Sequence, residues 1–219
     1  CFSAHPKVDP KTGELYNFGL AMFPVPGFAV FRVDRAGKLT KFAHVPLALP
    51  RMNHDCGITD RYLVMVLDPM VAMPHLMIPV FLGMRPLSRA ISFEAGLGTD
   101  IVLIPRDGGR KRIIHTDALL HFHIGNCFDD GEDVVIELVP YRASFDALWA
   151  NFHEGWNKIQ QKQVVGGPVS RLRITRSGRV IREDHSDRAL EFPQIDQRFC
   201  GQPTRYSYSA GLSAEPIAE

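Results

Sequence analysis

Short apolar runs rich in valine, isoleucine, phenylalanine and threonine recur along this chain and are separated by turn residues at close intervals. Residues 28–33, 39–45, 133–139 and 169–175 are the clearest such runs, and their length and β-branched content predict strands. Glycine-bearing turns punctuate them at Lys11-Thr12-Gly13, Arg35-Ala36-Gly37, Asp107-Gly108-Gly109, Asp130-Gly131-Glu132 and Ser177-Gly178-Arg179. Each supplies a residue free to adopt positive φ, which is a hairpin signal and not a helical one. Tyr62–Leu67 is apolar at every position and bounded by turn residues, which predicts a strand buried on both faces. Residues 144–152 are the exception: apolar positions at helical spacing behind Ser144, a residue suited to an N-cap, predict a short inserted helix.

The expected class is therefore all-β, with short antiparallel strands in a sandwich, a barrel or a propeller. No strict repeat decides among the three. The turns at 13 and 37, and those at 108 and 131, are a little over twenty residues apart, a spacing compatible with two hairpins in a four-stranded blade.

Composition narrows the function classes. With 45% apolar and 22% charged residues and a net charge of +1, the 219 residues describe an ordinary globular protein with no basic excess for nucleic acid. The cluster Arg110-Lys111-Arg112 follows Gly108-Gly109 and lacks interleaved aromatics, so it reads as a solvated hairpin turn. No apolar run approaches the roughly 20 residues that span a bilayer. Cys1, Cys56, Cys127 and Cys200 form no C-x-x-C pair, and a reduced, cytoplasmic setting is the default expectation. The chain opens on Cys1-Phe2-Ser3 without an initiator methionine and stops at Ile217-Ala218-Glu219 without a helix-terminating signal. The expectation is one incomplete domain over 1–219, the middle of a longer chain.

The common catalytic signatures are missing: there is no H-E-x-x-H, no G-x-S-x-G and no phosphate-binding glycine loop. The nine histidines are the remaining candidates. His121 and His123 lie two apart on one apolar strand, where both would face one side and Phe122 the other. His44, His75, His115, His153 and His185 sit in ordinary polar or loop-like contexts and are read as surface or satisfied core residues. His5 precedes Pro6, which favours an extended approach, and His54 stands at the start of a strand-like run. Only a fold that circles back on itself would return His5, His54 and His123 to one point.

Five stretches in order carry a resemblance: Ala4-His5-Pro6-Lys7-Val8-Asp9-Pro10-Lys11-Thr12-Gly13-Glu14-Leu15, Asn53-His54-Asp55-Cys56-Gly57-Ile58-Thr59, Ile104-Pro105-Arg106-Asp107-Gly108-Gly109, Phe122-His123-Ile124-Gly125-Asn126-Cys127-Phe128-Asp129-Asp130-Gly131 and Glu191-Phe192-Pro193-Gln194. Together they resemble the carotenoid cleavage oxygenase family, which includes the lignostilbene dioxygenases. The resemblance implies a seven-bladed β-propeller holding a non-haem Fe(II) on four histidines and no carboxylate. His5, His54 and His123 match three of those ligands, and Glu191 matches a glutamate that braces a ligand histidine, expected to be His123. His121 falls outside the motif. No histidine follows His185, so the fourth ligand is expected beyond Glu219.

The implied reaction is O2-dependent cleavage of a conjugated double bond in a lipophilic or phenolic alkene, a carotenoid, apocarotenoid or stilbene, to two carbonyl products. Neutral imidazoles suit it because they leave the full charge on the metal. The alternatives are an isomerohydrolase-like use of the same iron site and an inactive propeller that binds lipophilic ligands or protein partners. The resemblance also places the apolar stretch around Met77, Ile78, Phe81 and Leu82 near the mouth of a hydrophobic tunnel. There it would serve either as a peripheral membrane contact or as core packing, with Pro74 and Pro79 breaking any long helix.

Overall fold

A computed structural model describes residues 2–21, 24–142 and 166–211. The expected helix at 144–152, with His153, lies outside the described residues. The first sheet is an antiparallel meander of β1 (Lys7–Val8), β2 (Leu15–Ala21), β3 (Gly27–Val33) and β4 (Leu39–Pro46), paired in chain order. The second opens with β5 (Gly57–Ile58) and β6 (Tyr62–Leu67). The chain then leaves the sheet through β7 (Met70–Ala72), the helix α1 (Pro74–Phe81) and β8 (Ile91–Phe93), where β7 pairs with β8. It returns as β9 (Thr99–Pro105) and β10 (Arg112–Thr116), giving the order β5-β6-β9-β10. The third sheet is β11 (His121–Asp130), β12 (Asp133–Pro140), β13 (Ser170–Ile174) and β14 (Val180–Asp184), again in chain order. A hairpin-like pair follows, β15 (Leu190–Gln194) with β16 (Tyr208–Gly211).

Four-stranded antiparallel sheets stacked one after another are propeller blades. The packing shows why β6 is apolar throughout. Leu63, Met65 and Leu67 join Tyr16, Phe18 and Val30 of the first blade, whereas Val64 and Val66 join Ile136, Leu138 and Leu172 of the third. Alternate side chains of one strand thus close two separate cores, each buried aliphatic contributing about 1.5–3 kcal/mol. The two-faced burial read from the sequence is what the structure has.

All five glycine turns join consecutive strands as hairpins, with Gly13, Gly37, Gly108, Gly131 and Gly178 at positive φ. Turn spacing is a poorer guide. Turns 13 and 37 belong to one blade, but turn 108 closes β9–β10 of the second blade and turn 131 closes β11–β12 of the third. The excursion through α1 lengthens the second blade, so equal spacing of turns does not mark equal position within a blade.

The first strands of successive blades pack together, with β11 against both β5 and β15. The approach is close enough that a Cβ added to Gly57 would stand 2.2 Å from Cys127 Sγ. These inner strands carry the residues of interest.

Candidate metal centre

His5 lies two residues before β1, His54 three residues before β5, and His123 near the start of β11. Each therefore sits at the entry to the innermost strand of its own blade. In a propeller these positions converge on the axis, which is how residues 49 and 69 apart meet. The Nε2 atoms of His5 and His54 are 2.8 Å apart. The ring centroids of the three histidines form a near-equilateral triangle with sides of 4.5, 5.0 and 5.0 Å. One ligand nitrogen from each lies within 4.8 Å of the others, and among the described residues no other histidine, cysteine or carboxylate joins the group.

The electrostatics favour the ligand form of the imidazole. Burial holds His5 below the ordinary histidine value, with the neighbouring His123 and Lys7 adding to that push and Asp55 opposing it. Burial does the same for His54, reinforced by His5 and His123. A neutral ring keeps a lone pair for a metal. Behind the triangle, His123 Nδ1 lies 3.1 Å from Glu191 Oε2 and Tyr141 donates its hydroxyl to Oε1 at 2.5 Å. The amide of Phe192 donates to the same carboxylate. Burial works against ionising Glu191, which is 2% exposed, yet these three donors outweigh it and hold the carboxyl below the usual glutamate value. An ionised Glu191 keeps the proton of His123 on Nδ1 and leaves Nε2 free to bind.

The donor set fits a divalent transition metal. Nitrogens bonded to one ion at roughly 2.1 Å and at right angles would stand about 3 Å apart, close to the observed His5–His54 spacing. Three imidazoles without a carboxylate suit a first-row ion such as iron. Phe122 meets His54 edge-on at 5.7 Å and Phe192 lies 5.0 Å from His123, so apolar rings flank the nitrogen atoms. Phe192 is the one non-glycine residue with positive φ (53°) among the described residues.

His121 and His123 part company. Register shifts on either side of Ile124 interrupt the pleat, so spacing by two no longer places both histidines in one environment. His121 is 4% exposed and its backbone N–H and ring Nδ1 meet Asp68 Oδ2 at 2.6 and 2.7 Å. Of the other histidines, His115 pairs with Asp100 at 2.9 Å, and none of His44, His75 or His185 approaches the triangle. Cys56, Cys127 and Cys200 are buried and unpaired, and burial pushes all three thiols up, away from reactive thiolate. Asp55, Tyr141 and Phe192 are site neighbours whose contacts sequence reasoning did not supply. Asp55 and Phe192 stand beside His54 and Glu191 in the motifs, but nothing local marks Tyr141.

On the helix, Ile78, Phe81 and Leu82 are 66, 81 and 68% exposed, while Met77 is half-buried. The expected apolar patch thus loses Met77 and gains Met84, which is 73% exposed. No helix among the described residues is long and apolar enough to cross a membrane.

Antiparallel blades bearing a histidine triangle at their inner edge define a β-propeller with a candidate metal site. The sequence profile of the retinal pigment epithelial membrane protein family matches residues 1–218, and the chain belongs to that family, the carotenoid cleavage oxygenases. It is similar to carotenoid 9,10(9',10')-cleavage dioxygenase 1 of Phaseolus vulgaris, 25% identical over 97% of this chain and 38% of that protein. The apocarotenoid-15,15'-oxygenase of a Synechocystis species is 24% identical over 94% of this chain and 42% of its own length. The chain thus spans about two-fifths of these relatives. Among solved structures, cobalt-substituted Synechocystis apocarotenoid oxygenase superposes with a TM-score of 0.76 at 22% identity, covering 99% of this chain and 46% of that one. That likeness shows the propeller fold.

Proposed function

We propose that His5, His54 and His123 are three ligands of a ferrous iron centre and that Glu191 fixes the tautomer of His123. The protein would use that centre to cleave a conjugated carbon–carbon double bond of a carotenoid, apocarotenoid or stilbene. The observation that carries this reading is the convergence of three imidazole nitrogens within 4.8 Å without a carboxylate among them. The carotenoid and apocarotenoid dioxygenases among the relatives support the reaction class. A fourth histidine would come from elsewhere in the full-length protein.

Bound Fe(II) would supply the one-electron chemistry that lets O2 react with an alkene. Both oxygen atoms enter the products: one alkene and one O2 give two carbonyl compounds, with no hydrolytic water and no side-chain nucleophile. The chain's own residues supply position and environment. Glu191 holds a proton at His123 Nδ1, and the rings of Phe122 and Phe192 place apolar surface beside the ligands. An open recess of about 240 Å³ lined by Phe2, Phe18, Leu20, Phe28 and Met52 adjoins Asn53 and would receive part of an apolar substrate.

Ile78, Phe81, Leu82 and Met84, with the exposed Arg85 and Arg89 following them, support a second element of the reading. An apolar face bordered by cations suits the interface of a lipid bilayer, from which a lipophilic substrate would be collected.

The test is product analysis of the full-length protein with a carotenoid, an apocarotenoid and a stilbene under ¹⁸O2, together with its iron content. Two labelled carbonyl products and loss of iron in His54→Ala are expected. Absence of metal from the wild-type protein, or unchanged metal in His54→Ala, would overturn the reading.

A further inference from the structure

Asp55 follows His54 in the chain and is 1% exposed, but it is absent from the histidine triangle. Its carboxylate is spent elsewhere. Oδ1 accepts the backbone N–H of Cys56 at 2.7 Å and lies 2.9 Å from Lys7 Nζ. Oδ2 accepts the backbone N–H of Ile124 at 2.9 Å and Lys7 Nζ at 3.2 Å. Each oxygen thus takes one backbone N–H and shares the Lys7 ammonium, so three donors occupy the carboxylate.

The identity of the donors is informative. Lys7 is two residues after His5, Cys56 two after His54, and Ile124 one after His123. One buried carboxylate therefore ties together the three segments, in three different blades, that carry the triangle. Among the described residues no strand of one four-stranded sheet pairs with a strand of another, so the spacing of ligands supplied by separate blades needs a connection of this kind. Lys7 also cancels the charge of Asp55, which keeps a carboxylate so close to the histidines from offsetting the charge of a bound dication.

We infer that Asp55 is a positioning residue that sets the spacing of His5, His54 and His123 by binding one donor from each of their segments, with Lys7 neutralising it. This rests on the metal-centre reading above. Neither Asn nor a neutral carboxyl can replace Asp55, because the amide of an asparagine must turn its NH2 toward at least one of the three donors.

The experiment is a cobalt(II) titration of the full-length protein, following the ligand-field absorption that reports coordination geometry, on wild type, Asp55→Asn, Lys7→Met and Asp9→Asn. Asp9 is a buried carboxylate paired with Arg106 across the first two blades, and it serves as the control for loss of stability alone. Asp55→Asn is expected to lower cobalt affinity roughly 10- to 100-fold and to alter the absorption bands. Lys7→Met removes the donor from the His5 segment and keeps the Cys56 and Ile124 bonds, so it is expected to alter the absorption bands and to lower cobalt affinity by less than Asp55→Asn, because the uncancelled carboxylate attracts the dication. Asp9→Asn should keep the wild-type spectrum at whatever cost in melting temperature. Asp55→Asn with wild-type affinity and spectrum would overturn the inference and leave the metal centre standing. So would a wild-type spectrum and affinity in Lys7→Met, or equal losses in Asp55→Asn and Asp9→Asn. No binding by wild type would overturn both the inference and the reading beneath it.

Discussion

Glu191 Oε2 lies 3.1 Å from His123 Nδ1, and the same carboxylate takes the Tyr141 hydroxyl and the Phe192 amide, so a single side chain gathers three donors behind one candidate ligand. Glu191→Gln would present an amide N–H to at least one of these donors. Where the amide faces His123, the ring proton is driven to Nε2, the atom needed for metal. Metal affinity is expected to fall roughly 10- to 100-fold, read by iron or cobalt titration of the full-length protein. Tyr141→Phe removes one donor and leaves the carboxylate–histidine bond, so its loss should be smaller. Equal losses in the two variants would show that packing, and not the proton on His123, is what Glu191 provides.

Asp9 and Arg106 join the first hairpin to the end of β9, with side chains 6 and 12% exposed. Burial works against the charge of Asp9, but the Arg106 guanidinium and the Lys11 N–H outweigh it and hold its carboxyl below the ordinary value of 3.8. A depressed acid stabilises the fold fully above the unfolded value and loses that contribution as pH falls through the folded one. The melting temperature of wild type should therefore decline more steeply than that of Asp9→Asn as pH drops below about 4. The two curves should converge in acid, with Asn the less stable variant at neutral pH. Parallel curves from pH 6 down to about pH 2 would remove Asp9 from the acid response.

Local features of the chain were legible where one residue type decides one local geometry. The five glycine turns and the doubly buried β6 are of that kind, because glycine tolerates positive φ where other residues strain and an uninterrupted apolar run must bury both faces of its strand. The convergence of His5, His54 and His123 was legible only through motif resemblance, since nothing local links residues 49 and 69 apart. Position within a motif also separated His123 from His121, which the alternation of a regular strand would have grouped. The register shifts around Ile124 that divide them leave no mark in the sequence. Asp55 and Tyr141 lay beyond such reading for a related reason. Their roles depend on donors and acceptors in other blades, and only the packing of one blade against the next brings those together.

Gly57 offers a test of how tightly the inner strands are held. A methyl group there would stand 2.2 Å from Cys127 Sγ, on the strand that carries His123. Gly57→Ala should destabilise the protein by about 1–3 kcal/mol through overpacking, measured by denaturant unfolding of the full-length protein. The double variant with Cys127→Ala should recover at least half of the loss, because the clash has one identified partner. No recovery would place the strain in the backbone of β5 and not in its contact with β11.

The helix α1 separates two uses of apolar surface. Its residues Ile78 and Phe81 face solvent at 66 and 81% exposure, whereas Met77 is half-buried. Substituting Ile78 and Phe81 together by aspartate should leave folding and metal content intact, since little packing is lost. Binding to liposomes containing anionic lipid should fall severalfold, because two apolar anchors are replaced by charges that resist insertion and repel the surface. Met77→Asp, by contrast, should lower the melting temperature. Cleavage of a substrate delivered in detergent micelles should be unaffected by the Ile78 and Phe81 changes, while cleavage of the same substrate delivered in vesicles should slow. Unchanged liposome binding by that double variant would remove α1 from any role at a membrane and leave its exposed face without one.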